Sequence, residues 1–164
     1  MNREPIDFGL GVTAVPATQA DMDALNADMR DLDRQEAELL GDGKEHLECF
    51  ERAWAIRENG RLAGIAGFKP FAGSSAFSTA RLFLWMSTNH IWKVKKTFLR
   101  ISPKVAAFIA SQMPPWVTDL YSCPVASYSG SIKWQTKVLR FRHLRNIDWY
   151  GVKVAILHRP RKES

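Results

Sequence analysis

The side chains able to do chemistry are unevenly spread along these 164 residues. Four histidines, His46, His90, His143 and His158, stand far apart and show no metal-ligand spacing. Beyond residue 64 the only acids are Asp119, Asp148 and Glu163, so the longer C-terminal part is poor in carboxylates able to take a proton. His90, just before Lys93, Lys95 and Lys96, is a weak candidate base, although a lone loop histidine is more often merely exposed. Those lysines can attract phosphate as point charges, although a solvated helix face accounts for them equally simply and is favoured. No Gly-x-Ser-x-Gly elbow and no phosphate-binding P-loop occurs. Cys49 and Cys123 fall in segments of regular structure and read as reduced thiols, not a bridge.

Charge is equally lopsided. Residues 1–64 carry 7 basic and 14 acidic side chains, a net −7, and residues 65–164 carry 16 and 3, a net +13. Two solvated faces of opposite sign are the plain explanation. The sharper one is an anion-binding C-terminal half, in which Lys133, Lys137, Arg140, Arg142 and Arg145, with Trp134 and Trp149, form a basic, aromatic patch for nucleic acid. For Trp134 itself a core position is favoured, because aromatics at helical spacing usually pack inward. Hydrophobic residues at 46% exclude a disordered chain. No basic start followed by an apolar run marks a signal peptide, and a reducing compartment is expected.

The elements that must position these groups follow from periodicity. Residues 9–15 read as a first strand ending at Pro16, and Thr18 with Asp21 forms a capping box. Met22, Leu25, Met29 and Leu32 follow at helical spacing, Gly41 and Gly43 stop that region, and a short helix over 44–52 comes next. Residues 53–58 and 61–68 flank Asn59-Gly60, a two-residue type I′ hairpin turn. Gly73 to Ser78 is a loop. The apolar run 81–86 reads as a central strand. Residues 91–101 are helical, and Ser102-Pro103 starts a fresh helix to Met113. Residues 120–125 form a buried strand, 131–139 a helix, and 143–149 with 152–158 a hairpin around Tyr150-Gly151. The sum is a single α/β (α+β) domain over 1–164, a central mixed sheet flanked by helices, with 1–8 and 159–164 as frayed tails. Trp54, Leu84, Leu120 and Ile132 are the expected core, and the strands at Leu84 and Val125 are expected parallel and splayed at one end.

The run Ser131-Ile-Lys-Trp-Gln-Thr-Lys-Val-Leu-Arg-Phe141 resembles the last helix and exit of the GNAT acetyltransferases, with Arg140 where a glycine normally stands. A narrower resemblance, carried by Leu84-Trp85-Met86-Ser87-Thr88, Lys93-Val94, Phe98 to Ser102, Leu120-Tyr121 and Ile132-Lys133-Trp134, is to internal virion proteins of short-tailed phages, themselves GNAT-like. The first resemblance implies acetyl-coenzyme A held near Asn89, Lys93, Lys95 and Lys96, with a general acid at the position of Thr136. Yet this stretch has no glycine and carries Ile91 and Trp92, and a threonine is a poor acid. The second implies a virion component, made in the host cytoplasm, that contacts other virion proteins and possible DNA, with Trp92 as a partner contact. Together they lean away from an enzyme and from any cofactor, with acetyl-coenzyme A as the cofactor if an enzyme it is.

Overall fold

A computed structural model describes residues 4–40, 44–70, 81–90, 95–115 and 117–161. The expected loop over 73–78, the stop at Gly41 and Gly43, and Ile91, Trp92 and Lys93 lie outside those residues. Among the described residues eight strands form one mixed sheet in the order β1-β2-β3-β4-β5-β6-β8-β7. They are β1 (Ile6–Gly9), β2 (Val12–Pro16), β3 (Arg52–Glu58), β4 (Arg61–Pro70), β5 (Arg81–Ser87), β6 (Asp119–Ser122), β7 (Arg142–Trp149) and β8 (Val152–Pro160). The helices are α1 (Gln19–Ala27), α2 (Asp31–Leu40), α3 (Lys95–Gln112) and α4 (Ser129–Lys137). The mixed α/β architecture is the one the sequence led us to expect.

Several boundaries moved, each for a local reason. Gly9, Leu10 and Gly11 all take positive φ, so the chain reverses there and the single expected strand becomes the hairpin β1–β2. Residues 6–8 and 159–160 are therefore strand and not frayed tail. Thr18 does cap α1 through a capping box with Asp21. The helical run ends early because Met29 bridges Thr88 and Arg30 N–H donates to the Ser87 carbonyl, which pulls residues 28–30 onto the end of β5. The expected helix over 44–52 shrinks to one 3-10 turn, Leu47–Cys49. Helix α3 runs through Pro103 without restarting, and Ser102 does not cap it: its buried hydroxyl accepts from Trp134 Nε1 at 3.1 Å.

Asn59-Gly60 turns as expected, with φ of 50° and 80°. One register shift follows: Ile56 faces Gly64 but Arg57 faces Leu62, so Ala63 is an extra, bulged residue on β4. Its carbonyl accepts from Thr88 N–H at 2.9 Å, which fixes the end of β5.

The core is split by the sheet. On one face Trp54, Ala66, Phe68 and Leu120 pack with Ile101, Val105 and Ile109 of α3 and with Leu139 and Phe141. On the other, Met22 and Leu25 of α1, with Met29 just beyond it, pack with Phe50, Ile65 and Met86. Trp54 and Leu120 are buried as expected, and Ile132 is only half-buried against the first cluster. The side chain of Leu84 lies outside the described set.

Candidate functional site: the splay between β5 and β6

Strands β5 and β6 run parallel but pair only at Arg81 with Leu120 and Leu82 with Tyr121. Beyond that point they part, as expected from the sequence. The crossover α3 joins them, and α4 follows β6 on the same face, where its Leu139 exit shares the α3 cluster. A V-shaped gap in the middle of a sheet exposes backbone donors and acceptors along both of its arms. What fills it determines what it can do.

On the α3 and α4 face the gap is bridged by three rings. Trp85 of β5, Phe98 of α3 and Trp134 of α4 meet with centroids 5.7 Å (Trp85–Phe98), 5.8 Å (Trp85–Trp134) and 5.0 Å (Phe98–Trp134) apart. The two pairs made by Trp85 are edge-to-face, an arrangement that ring quadrupoles favour, and the Phe98–Trp134 pair is tilted. Each indole N–H has a partner: Trp85 Nε1 donates to Ser87 Oγ at 3.2 Å and Trp134 Nε1 to Ser102 Oγ at 3.1 Å. Trp134 is thus part of this half-buried cluster and not of a nucleic-acid patch.

At the mouth of the V, helix α2 fastens both arms with carboxylates. Ser87 N–H of β5 donates to Asp33 Oδ2 at 2.9 Å. Val125 N–H, just past β6, donates to Glu36 Oε1 at 2.7 Å. Three residues apart, Asp33 and Glu36 lie on one face of α2, so a single helical turn spans the opening. Arg30 neutralises the inner carboxylate, with Nη2 2.7 Å from Asp33 Oδ1. Burial pushes Glu36 up from its ordinary 4.5 to about 6, only partly countered by the Val125 hydrogen bond, and the neighbouring Asp33 adds to the rise. Burial also raises the Cys123 thiol to about 12, helped by Glu36, so it is not a nucleophile. Burial and then the charges of Glu36 and Glu38 raise Tyr128, whose hydroxyl lies 3.5 Å from Gln35 Oε1.

The residues singled out in the sequence are scattered by comparison. Asn89 is tied to the end of α1: its N–H donates to the Asp28 carbonyl at 2.7 Å and Nδ2 reaches Asp28 Oδ1 at 3.2 Å. His90 sits 3.9 Å from Glu58 of β3, away from the splay. Thr136 Oγ1 donates back to the Ile132 carbonyl of its own helix at 2.8 Å, so its proton is engaged within α4. Lys96 is exposed in the first turn of α3, and Lys95 belongs to the same turn. Lys133, Lys137, Arg140, Arg142 and Arg145 are all exposed, on α4, its exit and β7. Arg140 takes φ 64°, the left-handed conformation expected of the glycine it stands for. The lack of a carboxylate near the central strand needs correcting. Asp33 and Glu36 reach β5 and β6 from α2, more than 50 residues upstream of the strand they touch, and only the tertiary fold reveals them. Their helical i, i+3 spacing inside an acidic helix was the sole trace in the sequence.

No family model matches the chain, and no curated protein matches it. Its solved structural relatives are acetyltransferases. A ribosomal-protein-alanine N-acetyltransferase from Brucella melitensis superposes with a TM-score of 0.66 at 14% identity, over 90% of this chain and 98% of that one. An N-acetyltransferase from Staphylococcus aureus Mu50 gives 0.67 at 16% identity, over 92% and 99%. The aminoglycoside acetyltransferase AAC(6')-Ib, in complex with ribostamycin and coenzyme A, gives 0.69 at 14% identity, over 92% and 94%. The fold is that of the GNAT acetyltransferases.

Among the described residues, a coenzyme arm at the splay would meet groups that already have partners. An arm laid across the gap on the α3 and α4 face would have to part the Trp85, Phe98 and Trp134 rings. It would also find the Ser87 N–H already held by Asp33.

Proposed function

We propose that this chain uses the acetyltransferase fold as a non-catalytic scaffold, closed across its own splay, and serves in assembly as a structural protein. The observation that carries this is the ring cluster joining β5, α3 and α4 over the gap. Three large rings with satisfied indole N–H groups are a packed element, and parting them costs contact area as well as two hydrogen bonds. The back-bonded Thr136 and the glycine-free stretch before α3 agree with that reading. The likeness of segments such as Leu84 to Thr88 and Ile132 to Trp134 to internal virion proteins of short-tailed phages makes a phage particle the proposed place of assembly. That placement rests on the sequence resemblance.

A second reading has its own support: an N-acyltransferase that takes acetyl-coenzyme A. The structural relatives favour it, and so does Glu36, whose carboxyl at about 6 would be largely ionised at neutral pH, the form able to take a proton, at the mouth of the splay. Thermal unfolding with and without acetyl-coenzyme A separates the two. A ligand at one hundred times its dissociation constant adds about 2.7 kcal/mol to stability. In a chain of this size that raises the melting temperature by roughly 5–11 °C. The scaffold reading expects no rise at millimolar ligand. A rise of that size, with release of free thiol when an amine acceptor is added, would replace it by the acyltransferase reading. Mass spectrometry of purified phage particles tests the proposed location separately, and absence of the chain from particles and assembly intermediates would overturn it.

A further inference from the structure

The outer half of the sheet, β6, β8 and β7, carries a second surface that the splay does not use. On the face away from α3 and α4, Val154 and Ile156 form a small cluster with Tyr121, Cys123, Ile147, Trp149 and Val152. Among the described residues no helix side chain joins that cluster, and its rim, Tyr121 and Trp149 included, is half-buried. Next to it Tyr150 is 94% exposed, its ring edge-on to Trp149 at 5.7 Å.

The cations of β7 are brought to this same face by an irregularity. Arg142 faces His158 across the strand pair, His143 faces Leu157, and then Arg145 faces Ile156, so Leu144 is bulged out. The extra residue restores the parity that a regular strand would have broken. Arg142 and Arg145 therefore share the face of His158, whose ring lies 5.1 Å from Tyr121, and of Ile156. Among the described residues neither arginine is within ion-pair distance of a carboxylate. The acids nearby are accounted for: Asp119 is held by His158 at 2.6 Å and by Thr118, and Asp148 sits opposite Lys153, on the other face. Helix α2 and its acids border the inner side of the surface and would push an anion outward, toward β7.

We infer that this face binds single-stranded nucleic acid, with bases on Tyr121, Trp149 and Tyr150 and the phosphate backbone along Arg142 and Arg145. A sheet face bearing aromatic rings, edged by cations, offers stacking to unpaired bases and point contacts to phosphates. The rival occupant, an acidic peptide added as a ninth strand, is disfavoured by the same bulge. Leu144 breaks the regular edge that strand addition needs, and charged residues on an edge oppose it. The surface lies on the face of the sheet opposite the ring cluster, so the inference stands whether or not coenzyme binds on the α3 and α4 face.

Fluorescence anisotropy of a labelled twenty-nucleotide thymidine oligomer against the full chain, at 50 and 200 mM salt, provides the test. Each phosphate contact contributes about 0.7 to the log–log salt slope for a single strand. Replacing both Arg142 and Arg145 by Ala should flatten the slope by about 1.4. The native chain should then lose about sevenfold more affinity than the double variant between the two salts. Trp149→Leu should weaken binding without changing the slope, and a Lys96→Ala, Arg100→Ala pair on α3 should leave both unchanged. No binding at 50 mM salt would overturn the inference. So would an unchanged slope in the arginine variant, equal affinity for a duplex of the same length, or displacement by polyglutamate at equal charge concentration.

Discussion

Glu36 gives the sharpest test of how the splay is held. In the folded chain its carboxyl is raised from 4.5 to about 6 by burial. A group whose folded value lies above its unfolded one adds stability in its protonated form. That contribution is complete below pH 4.5 and is lost as pH rises through about 6. The shift of about 1.5 units corresponds to about 2 kcal/mol. Glu36→Gln keeps a carbonyl to accept the Val125 N–H but cannot ionise. Its stability relative to the native chain should therefore be nearly constant below pH 4.5 and climb by about 2 kcal/mol between there and pH 7. In this chain that corresponds to a melting temperature higher by roughly 4–8 °C at the upper end. Urea unfolding of both proteins in half-unit pH steps reads the difference directly. Any pH-independent effect of the amide cancels in the slope, as do all other titrating groups. A difference that stays flat from pH 4.5 to 7 would refute the buried carboxylate at the mouth of the V, and with it the staple between α2 and β6.

Leu120→Ala, at a side chain 1% exposed in the sheet centre, should lower the unfolding free energy by roughly 2–5 kcal/mol in urea. Arg140→Gly should raise stability by about 1 kcal/mol in thermal unfolding, because φ 64° strains any residue with a β-carbon. In a Cys49→Ala background, Cys123 should react with a thiol reagent at pH 8 far more slowly when folded than in denaturant, since burial holds its thiol at about 12.

Much of the fold was legible because its signals are local. The Asn59-Gly60 turn, the Thr18–Asp21 box and the apolar run of β5 each depend on a few neighbouring residues. The errors fell where a distant partner decided the outcome. Residues 28–30 look helical until the end of β5 is placed beside them, and Ser102 looks like a cap until Trp134 claims its hydroxyl. The same holds for the site. Asp33 and Glu36 look like ordinary solvated acids of an amphipathic helix, and nothing near β5 in sequence points back to them. Trp134 could be read as inward-facing from its spacing, but its meeting with Trp85 across the gap required the parallel arrangement of β5 and β6. The bulge at Leu144, which alone puts Arg142 and Arg145 on one face, has no sequence signature at all.

The central claim is that Trp85, Phe98 and Trp134 close the splay. Nitrogen–proton spectra of the six tryptophan indoles, assigned by single Trp→Phe changes and titrated with acetyl-coenzyme A at physiological salt, address it most directly. The account predicts that the Trp85 and Trp134 indole signals, hydrogen-bonded to Ser87 and Ser102, stay in place up to millimolar ligand. Saturable movement of both signals at micromolar ligand would show that the rings part for the coenzyme, and would contradict the scaffold reading.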